Sequence, residues 1–473
     1  MLDPLIILLI GLAIVLGMIL GFRANAFFAL ILAAFTISFL VPNPEEQALW
    51  SYKVQRVLEQ FGTVTGRVAV LIVMGAIIGK CMLESRSADR IIITICRLFG
   101  EKRVPASLLS AGFVISIPVF YDTTFYLLVP LARSFFRQVR KNYILLLTAI
   151  GAGATITHTL VPPTPGPLIV ASELKLSIAP VMLTGMLTGL CLVPLALLGC
   201  YFVNWYLPKP RIVDQTLLEE GEFDTGESLL AREKELPSLF ASLAPIILPV
   251  VFIASRSILE TLPLAPPDTL TEICRNLVYV FGDPNIALMC GAFIAAMIMW
   301  RQRKFTLGEF HSKIEAALLD AGLIVLITAA GGSFGAMLRA AGVGERVCEI
   351  FQTEDGTMSG LTLLLLAFGI ASLIKTAQGS STVAMMTTAG VISAIILDMT
   401  PEMLGFHPAY LATVIGLGSI VTGWMNDSGF WIFCRMGGIH EIDAMKTWSV
   451  LLAMIGFTGL GIVIVLTRVI PLI

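Results

Sequence analysis

The chain has 473 residues, 56% hydrophobic and only 14% charged, with a formal net charge of −2 and a mean hydropathy of +0.88. A soluble domain carries about 25% charged residues, so a chain this apolar cannot cover a water-facing surface, and a bilayer is its natural solvent. The near-neutral balance gives no basic field for nucleic acid; the eight scattered cysteines form no CxxC pair or His/Cys cluster and read as small apolar side chains.

In chain order, apolar stretches of spanning length run near 5–22, 25–41, 66–84, 143–173, 178–205, 239–258, 284–300, 318–340, 408–436 and 447–467, since a spanning helix needs about 20 such residues. The first lacks a basic leader and a small-residue cleavage site, so it reads as a retained span rather than a signal peptide. Bases cluster after the third span (Lys80, Arg86, Arg90, Arg97, Lys102, Arg103), after residue 132 (Arg133, Arg137, Arg140, Lys141), after the fifth span (Lys209, Arg211) and after the seventh (Arg301, Arg303, Lys304). By the positive-inside rule these loops are cytoplasmic. The loops near 42–50, 259–283 and 352–358 carry Glu45, Glu46, Glu260, Asp268, Asp283, Glu354 and Asp355 and read as external. About ten full spans then put both termini on the external side of a bacterial inner membrane.

Two further apolar stretches, 104–137 and 360–398, fit no simple span. Bases flank both ends of the first, so the chain enters and leaves on one side, yet two crossings would need about 40 residues. Its arms of roughly 15 residues reach only about 22 Å. A re-entrant hairpin turning at Pro118 to Thr124 fits best, the rival being one tilted helix with a proline kink. The second stretch has the same form, with Lys375 to Thr382 at its middle, and enters from the external side.

The halves resemble each other. Gly79-Lys-Cys-Met-Leu83 aligns with Gly335-Ala-Met-Leu-Arg339 at an offset of 256, which also pairs Asp89 with Glu345 and Asp122 with Gln378. Ile150 to Thr157 aligns with Ile415 to Thr422 at an offset of 265. The predicted organisation is a first repeat over 1–207, a hydrophilic cytoplasmic linker over 208–237 and a second repeat over 238–473. Each repeat holds five spans and one hairpin; five is odd, so the repeats are inverted, as in transporters built on broken helices.

Four polar interruptions could carry chemistry: Asp122-Thr123-Thr124 at the first tip; Thr155 to Pro167, including Thr157, His158, Pro163 and Thr164; Thr376 to Thr382, including Gln378, Gly379, Ser380 and Ser381; and Thr422 to Gly429, including Asn426, Asp427 and Ser428. Broken helices expose backbone amides and carbonyls to a solute, and half-helix N-termini favour anions. Hydroxyls and amides suit a hydroxylated one. Together they describe a site for a small hydroxy-carboxylate. Asp122, His158 and Asp427 are the intramembrane ionisable groups that could couple protons. Competing structural roles stand beside them: His158 bonding a broken-helix carbonyl, Asp427 capping the helix at Ser428, and Lys375 paired or snorkelling. No metal or organic cofactor is called for. No HExxH or GxGD motif supports an intramembrane enzyme, and paired hairpins suit alternating access better than a passive channel.

These residues resemble the gluconate:proton symporter (GntP) family. The carrying pieces are Ile117-Pro-Val-Phe-Tyr-Asp122 with Leu128-Val-Pro130, His158-Thr-Leu-Val-Pro-Pro-Thr-Pro-Gly-Pro167, Gln378-Gly-Ser-Ser-Thr-Val-Ala384 and Asn426-Asp-Ser-Gly-Phe-Trp431. The resemblance implies proton-coupled uptake of gluconate, a related sugar acid, glycerate or a hydroxy amino acid, with sodium the alternative coupling ion. It also implies the ion-transporter superfamily fold: an all-α polytopic homodimer whose scaffold domains hold elevator-type transport domains. The chain departs from some members at Thr164 and in the linker, which leaves the particular solute open.

Overall fold

The computed structural model describes residues 3–22, 24–42, 50–100, 103–139, 141–207, 236–261, 269–343, 346, 359–396, 399–424 and 427–472. Nearly all of the predicted linker, and Glu45, Glu46, Asp268, Glu345, Glu354, Asp355 and Asn426, lie outside them. The described chain is helical: α1 (Pro4–Leu16, continued by a π turn to Gly21), α2 (Ala26–Leu40), α3 (Trp50–Glu84), α4 (Ser87–Phe99), α5 (Val104–Ile115), α6 (Tyr121–Val139), α7 (Tyr143–Leu160), α8 (Pro165–Glu173) and α9 (Ile178–Tyr206). The second half holds α10 (Leu239–Thr261), α11 (Thr269–Phe281), α12 (Pro284–Arg303), α13 (Leu307–Ala340), α14 (Gly360–Gln378), α15 (Ser381–Ile395), α16 (Pro401–Leu404), α17 (Ala409–Gly418), α18 (Ser428–Gly437), α19 (Glu441–Ala444) and α20 (Val450–Val469), with a π turn, Met445–Ser449, joining the last two.

Local chemistry starts many of these helices. Asp3, Asn25 and Asp283 accept the amides of Leu5, Phe27 and Asn285 at the N-termini of α1, α2 and α12. Thr306 and Glu309 form a reciprocal capping box at the start of α13.

Seven helical stretches among the described residues are long and apolar enough to cross a membrane: Trp50–Glu84, Tyr143–Glu173, Ile178–Tyr206, Leu239–Arg256, Pro284–Arg303, Leu307–Ala340 and Glu441–Val469. The other three expected spans are interrupted or short. The π turn limits α1, α2 has 15 residues, and 408–436 is split between α17 and α18. Two spans are longer than their apolar windows: 66–84 extends back to Trp50, and 318–340 back to Leu307. Hydropathy marks only the apolar half of each, whereas the polar half is still helix. At 35 and 34 residues, each is about 50 Å long. The stretch expected as an external loop, 259–283, contains the helix α11.

Where the sequence shows two anomalous stretches, the structure has helix–break–helix units. The first breaks at residues 116–120 between α5 and α6, the second at residues 379–380 between α14 and α15. Their arms are 12 and 19, then 19 and 15 residues. In the first unit α5 and α6 touch each other and both lie on α7. The Phe136 ring sits 4.9 Å from Tyr143 and Phe120 lies 6.0 Å from His158, so α6 runs antiparallel to α7.

Packing in one half is repeated in the other. α2 packs on α13 as α12 packs on α3; α1 packs on α2 as α10 on α12; α5–α7–α9 contacts recur as α14–α17–α20. Gly153 and Gly418, matched at the 265 offset, each press on the first arm of their own unit. A Cβ on Gly153 would stand 2.0 Å from the Leu109 carbonyl oxygen, and one on Gly418 2.6 Å from that of Phe368. The matched helices α3 and α13 lie side by side and run antiparallel. Val57 meets Ser333 and Val64 meets Gly332, whereas Val68, Ile72 and Ala76 cluster with Ala321 and Val325.

Candidate functional site: a cavity where four helix N-termini meet

A cavity of about 610 Å³ opens between the two broken units and α13. First-turn residues of four helices line it: Tyr121, Asp122 and Thr123 of α6, Pro165 of α8, Ser381 to Val383 of α15, and Ser428 and Gly429 of α18. Each helix begins there for a local reason. Prolines occupy the break before α8 and the first position of α8 itself, where a missing amide costs nothing. Gly379 ends α14 at φ +89°, a left-handed conformation that glycine adopts freely. Ser380 accepts the Val383 amide at 3.3 Å, and Asp427 Oδ1 accepts the Gly429 amide at 3.0 Å. Free amides and aligned dipoles at four helix starts make the cavity attractive to an anion.

The second tip is cross-braced. Lys375, buried, donates to Asp427 Oδ2 at 2.8 Å and to the Gly379 carbonyl, tying α14 to the break before α18. Thr376 and Thr422 hydroxyls lie 2.8 Å apart, and Trp424 Nε1 donates to the Thr376 carbonyl at 3.0 Å. Lys375 is thus a paired lysine, and Asp427 is both a cap and its counter-ion. His158 differs from the carbonyl-bonded reading: its buried Nδ1 has no hydrogen-bond partner among the described residues, and its ring meets Phe120 edge-on. Tyr121 Oη and Trp448 Nε1, on two further lining side chains, are likewise buried without partners among the described residues. Tyr121 stacks against both Phe125 and Trp448, which holds the tip side chains in place.

Of the predicted site residues, Asp122, Thr123, His158, Ser380, Ser381, Asp427 and Ser428 line the cavity. Others do not. Thr124 accepts the Ser116 hydroxyl at 2.8 Å and closes the first break. Thr157 bonds back to Gly153, and Thr164 donates to the Val161 carbonyl at 2.7 Å. Pro163 lines a separate apolar pocket with Pro245 and Pro249. Gly379 contributes its carbonyl to Lys375 rather than to the cavity wall. Gln378 ends α14 in the backbone; its side chain and all of Asn426 lie outside the described features. Sequence reasoning missed Asp320, which faces the cavity from α13 amid apolar Leu319, Leu323, Ile324 and Ile327. A lone carboxylate inside an apolar run was the available signal. Trp448 and Thr159 carried none. No group of three His, Cys, Asp or Glu among the described residues stands close enough to hold a metal.

The model of the GntP family permeases matches residues 3–470. The chain is a GntP family permease. This permease is 31% identical to an uncharacterized permease of Haemophilus influenzae, over 94% of this chain and 88% of that one. It is 29% identical to a gluconate permease of Bacillus licheniformis, over 98% and 99% of the two chains, and 29% identical to the Gnt-II system L-idonate transporter of Escherichia coli, over 97% of each. Its fold is similar to that of the Alcanivorax borkumensis YdaH transporter, whose crystal structure is described as having an unusual topology. The TM-score is 0.61 at 14% identity, covering 94% of this chain and 98% of that one. The GntP permease is thus a multi-pass membrane transporter and not an enzyme.

Proposed function

We propose that this permease is a proton-coupled secondary transporter of gluconate or a related small hydroxy-carboxylate across a bacterial inner membrane. The observation that carries the reading is the convergence of four helix N-termini on one cavity. Their dipoles suit the carboxylate, and the unpartnered polar atoms of His158, Tyr121 and Trp448 suit hydroxyl groups along the solute. The names of the curated relatives, gluconate permease and L-idonate transporter, support a sugar acid.

The lining charges argue for a coupling cation. Three carboxylates, Asp122, Asp320 and Asp427, face one ammonium, Lys375. A carboxylate solute adds a further negative charge, so its entry is favoured when a proton or cation enters with it. Asp122 is the proposed proton carrier, since Asp427 is already paired; His158 is the nearby acceptor.

The antiparallel run of the matched helices α3 and α13 supports inverted repeats. In this reading α5–α6 and α14–α15 are re-entrant hairpins entering from opposite sides. α3 and α13 belong to a scaffold that dimerises, against which the hairpins, broken helices, α9 and α20 move as an elevator.

Uptake of labelled gluconate into proteoliposomes tests the reading. Accumulation should follow an imposed inward proton gradient and collapse with an uncoupler. Accumulation that follows sodium instead would replace the proton with sodium, and equilibration without accumulation would replace the transporter with a passive pore.

A further inference from the structure

Along α13 the environment changes in three steps. Leu319 to Ile327 line the central cavity; Gly331, Gly332 and Gly335 then press on Met386, Glu173 and Gly390; Ala336 to Ala340 line a second cavity of about 590 Å³. α8 follows the same order, with Pro165 in the central cavity, Glu173 in the tight seam, and Lys175 just beyond α8 in the second cavity. The second cavity therefore lies at the opposite end of the same interface, sealed from the first by glycine packing and by the ion pair of Arg339 with buried Glu173 at 3.4 Å.

Its charge is opposite to that of the central cavity. Among its described lining residues are Arg56, Arg67, Lys175 and Arg339, and no acid. The described carboxylates nearby are Glu173, behind the wall, which Arg339 bonds and Arg67 also attracts, and Glu59, which accepts from Gln55 on α3. Two of the four bases are committed. Arg56 donates to the Ser38 hydroxyl at 2.6 Å and to the carbonyls of Ser38 and Val41, with Tyr52 beneath it. Arg339 holds Glu173 and the Ser393 hydroxyl. Arg67 and Lys175 are exposed to the cavity and donate to no acceptor among the described residues. Two available cations, backed by two fixed ones in a concave wall, focus positive potential where an anion would sit.

We propose that this second cavity binds an anionic oxygen group, with Arg67 and Lys175 as the side chains that take it. Two sources share that chemistry: the carboxylate of the solute, waiting on the far side of the seam, and the phosphate of an anionic lipid headgroup. Only the solute arm rests on the transport reading.

The test uses the purified full chain in neutral detergent, wild type against Arg67→Gln/Lys175→Gln. Thermal stabilisation is titrated separately with gluconate and with short-chain phosphatidylglycerol at constant ionic strength. The double substitution should raise the half-saturating concentration of whichever anion fills the cavity about tenfold, the low end of what focused charge provides. Arg67→Lys/Lys175→Arg should keep it. A shift with gluconate, matched by a higher KM for uptake in phosphatidylcholine vesicles, identifies the solute; a shift with phosphatidylglycerol alone identifies the lipid. Curves that superimpose on wild type for both anions overturn the site. A wild type that carries no gluconate refutes the transport reading, and the phosphatidylglycerol titration still decides the cavity.

Discussion

Gly79 and Gly335 occupy matched positions in the two halves, yet they meet different parts of the two helix–break–helix units. A Cβ on Gly79 would stand 3.0 Å from the carbonyl oxygen of Pro118, at the tip of the first unit. One on Gly335 would stand 2.6 Å from the Cα of Gly390, deep in the second arm of the second unit. At the 256 offset Gly390 corresponds to Ser134, sixteen residues beyond Pro118 and about 20 Å along α6 from its start at Tyr121. Two equivalent units thus rest on two equivalent helices in different registers. On the proposed elevator reading, symmetric sequences in asymmetric registers correspond to one end of the travel. The second unit is seated deep against α13, in the seam between the two cavities. The first touches α3 with its tip, and the acidic cavity lies open beside it. On the elevator reading the opposite state exchanges these contacts, bringing Gly79 against the α6 arm and Gly335 against the second tip.

The strongest way to break this comparison is to add one methyl group on each side. Gly335→Ala drives a Cβ into backbone that cannot yield, and overpacking of this kind costs about 1–3 kcal/mol. Gly79→Ala meets a single carbonyl at a distance that a small shift relieves. The thermal midpoint should fall clearly for Gly335→Ala and little for Gly79→Ala, and gluconate uptake should drop more than tenfold only for the former. Equal effects would mean that the two registers are energetically alike and that the asymmetry carries no information about state.

The tips themselves differ next. Lys375 is bonded to Asp427 and to the Gly379 carbonyl, whereas Asp122 forms no ion pair among the described residues. Lys375→Ala leaves a largely buried carboxylate and a carbonyl without their donor, so it should destabilise by about 3–5 kcal/mol. The double variant Lys375→Ala/Asp427→Ala should recover part of that loss in the same melting experiment. Asp122→Asn should leave the melting temperature within a degree or two, yet abolish proton-driven accumulation while allowing counterflow exchange. Accumulation at the wild-type level in Asp122→Asn would remove that residue from coupling.

Much of this was legible in the sequence. The breaks near Pro118, Pro163, Gly379 and Asp427 were readable because proline, glycine and capping residues act locally. Gly153 and Gly418, matched in the sequence at the 265 offset, make the same kind of close contact with the first arm of their own unit. The polar halves of α3 and α13 were not, since hydropathy reports the solvent of a helix and not its length. Nor could sequence separate tip residues that face the cavity from those that close the breaks. Thr123 and Thr124 are neighbours of the same type, one lining the cavity and the other bonded to Ser116. That choice depends on helical phase after Tyr121, which only the packed structure sets. Asp320 was legible only as a lone carboxylate in an apolar run, and its place on the cavity wall follows from packing between distant segments.

Those adjacent threonines give the finest division within the first tip. Thr124→Val keeps shape and removes the hydroxyl that accepts from Ser116, a neutral bond worth about 1 kcal/mol. The loss includes the buried Ser116 hydroxyl left unpaired, so the melting temperature should fall by a few degrees with the KM for gluconate unchanged. Thr123→Val removes a hydroxyl from the cavity wall and should do the reverse, raising KM several-fold at constant melting temperature. Ser116→Ala combined with Thr124→Val should be milder than Thr124→Val alone, because replacing both partners leaves no orphaned group. If instead Thr124→Val raises KM as Thr123→Val does, the hydroxyl turns toward the solute during transport, and the first tip repacks between states rather than moving as a rigid piece.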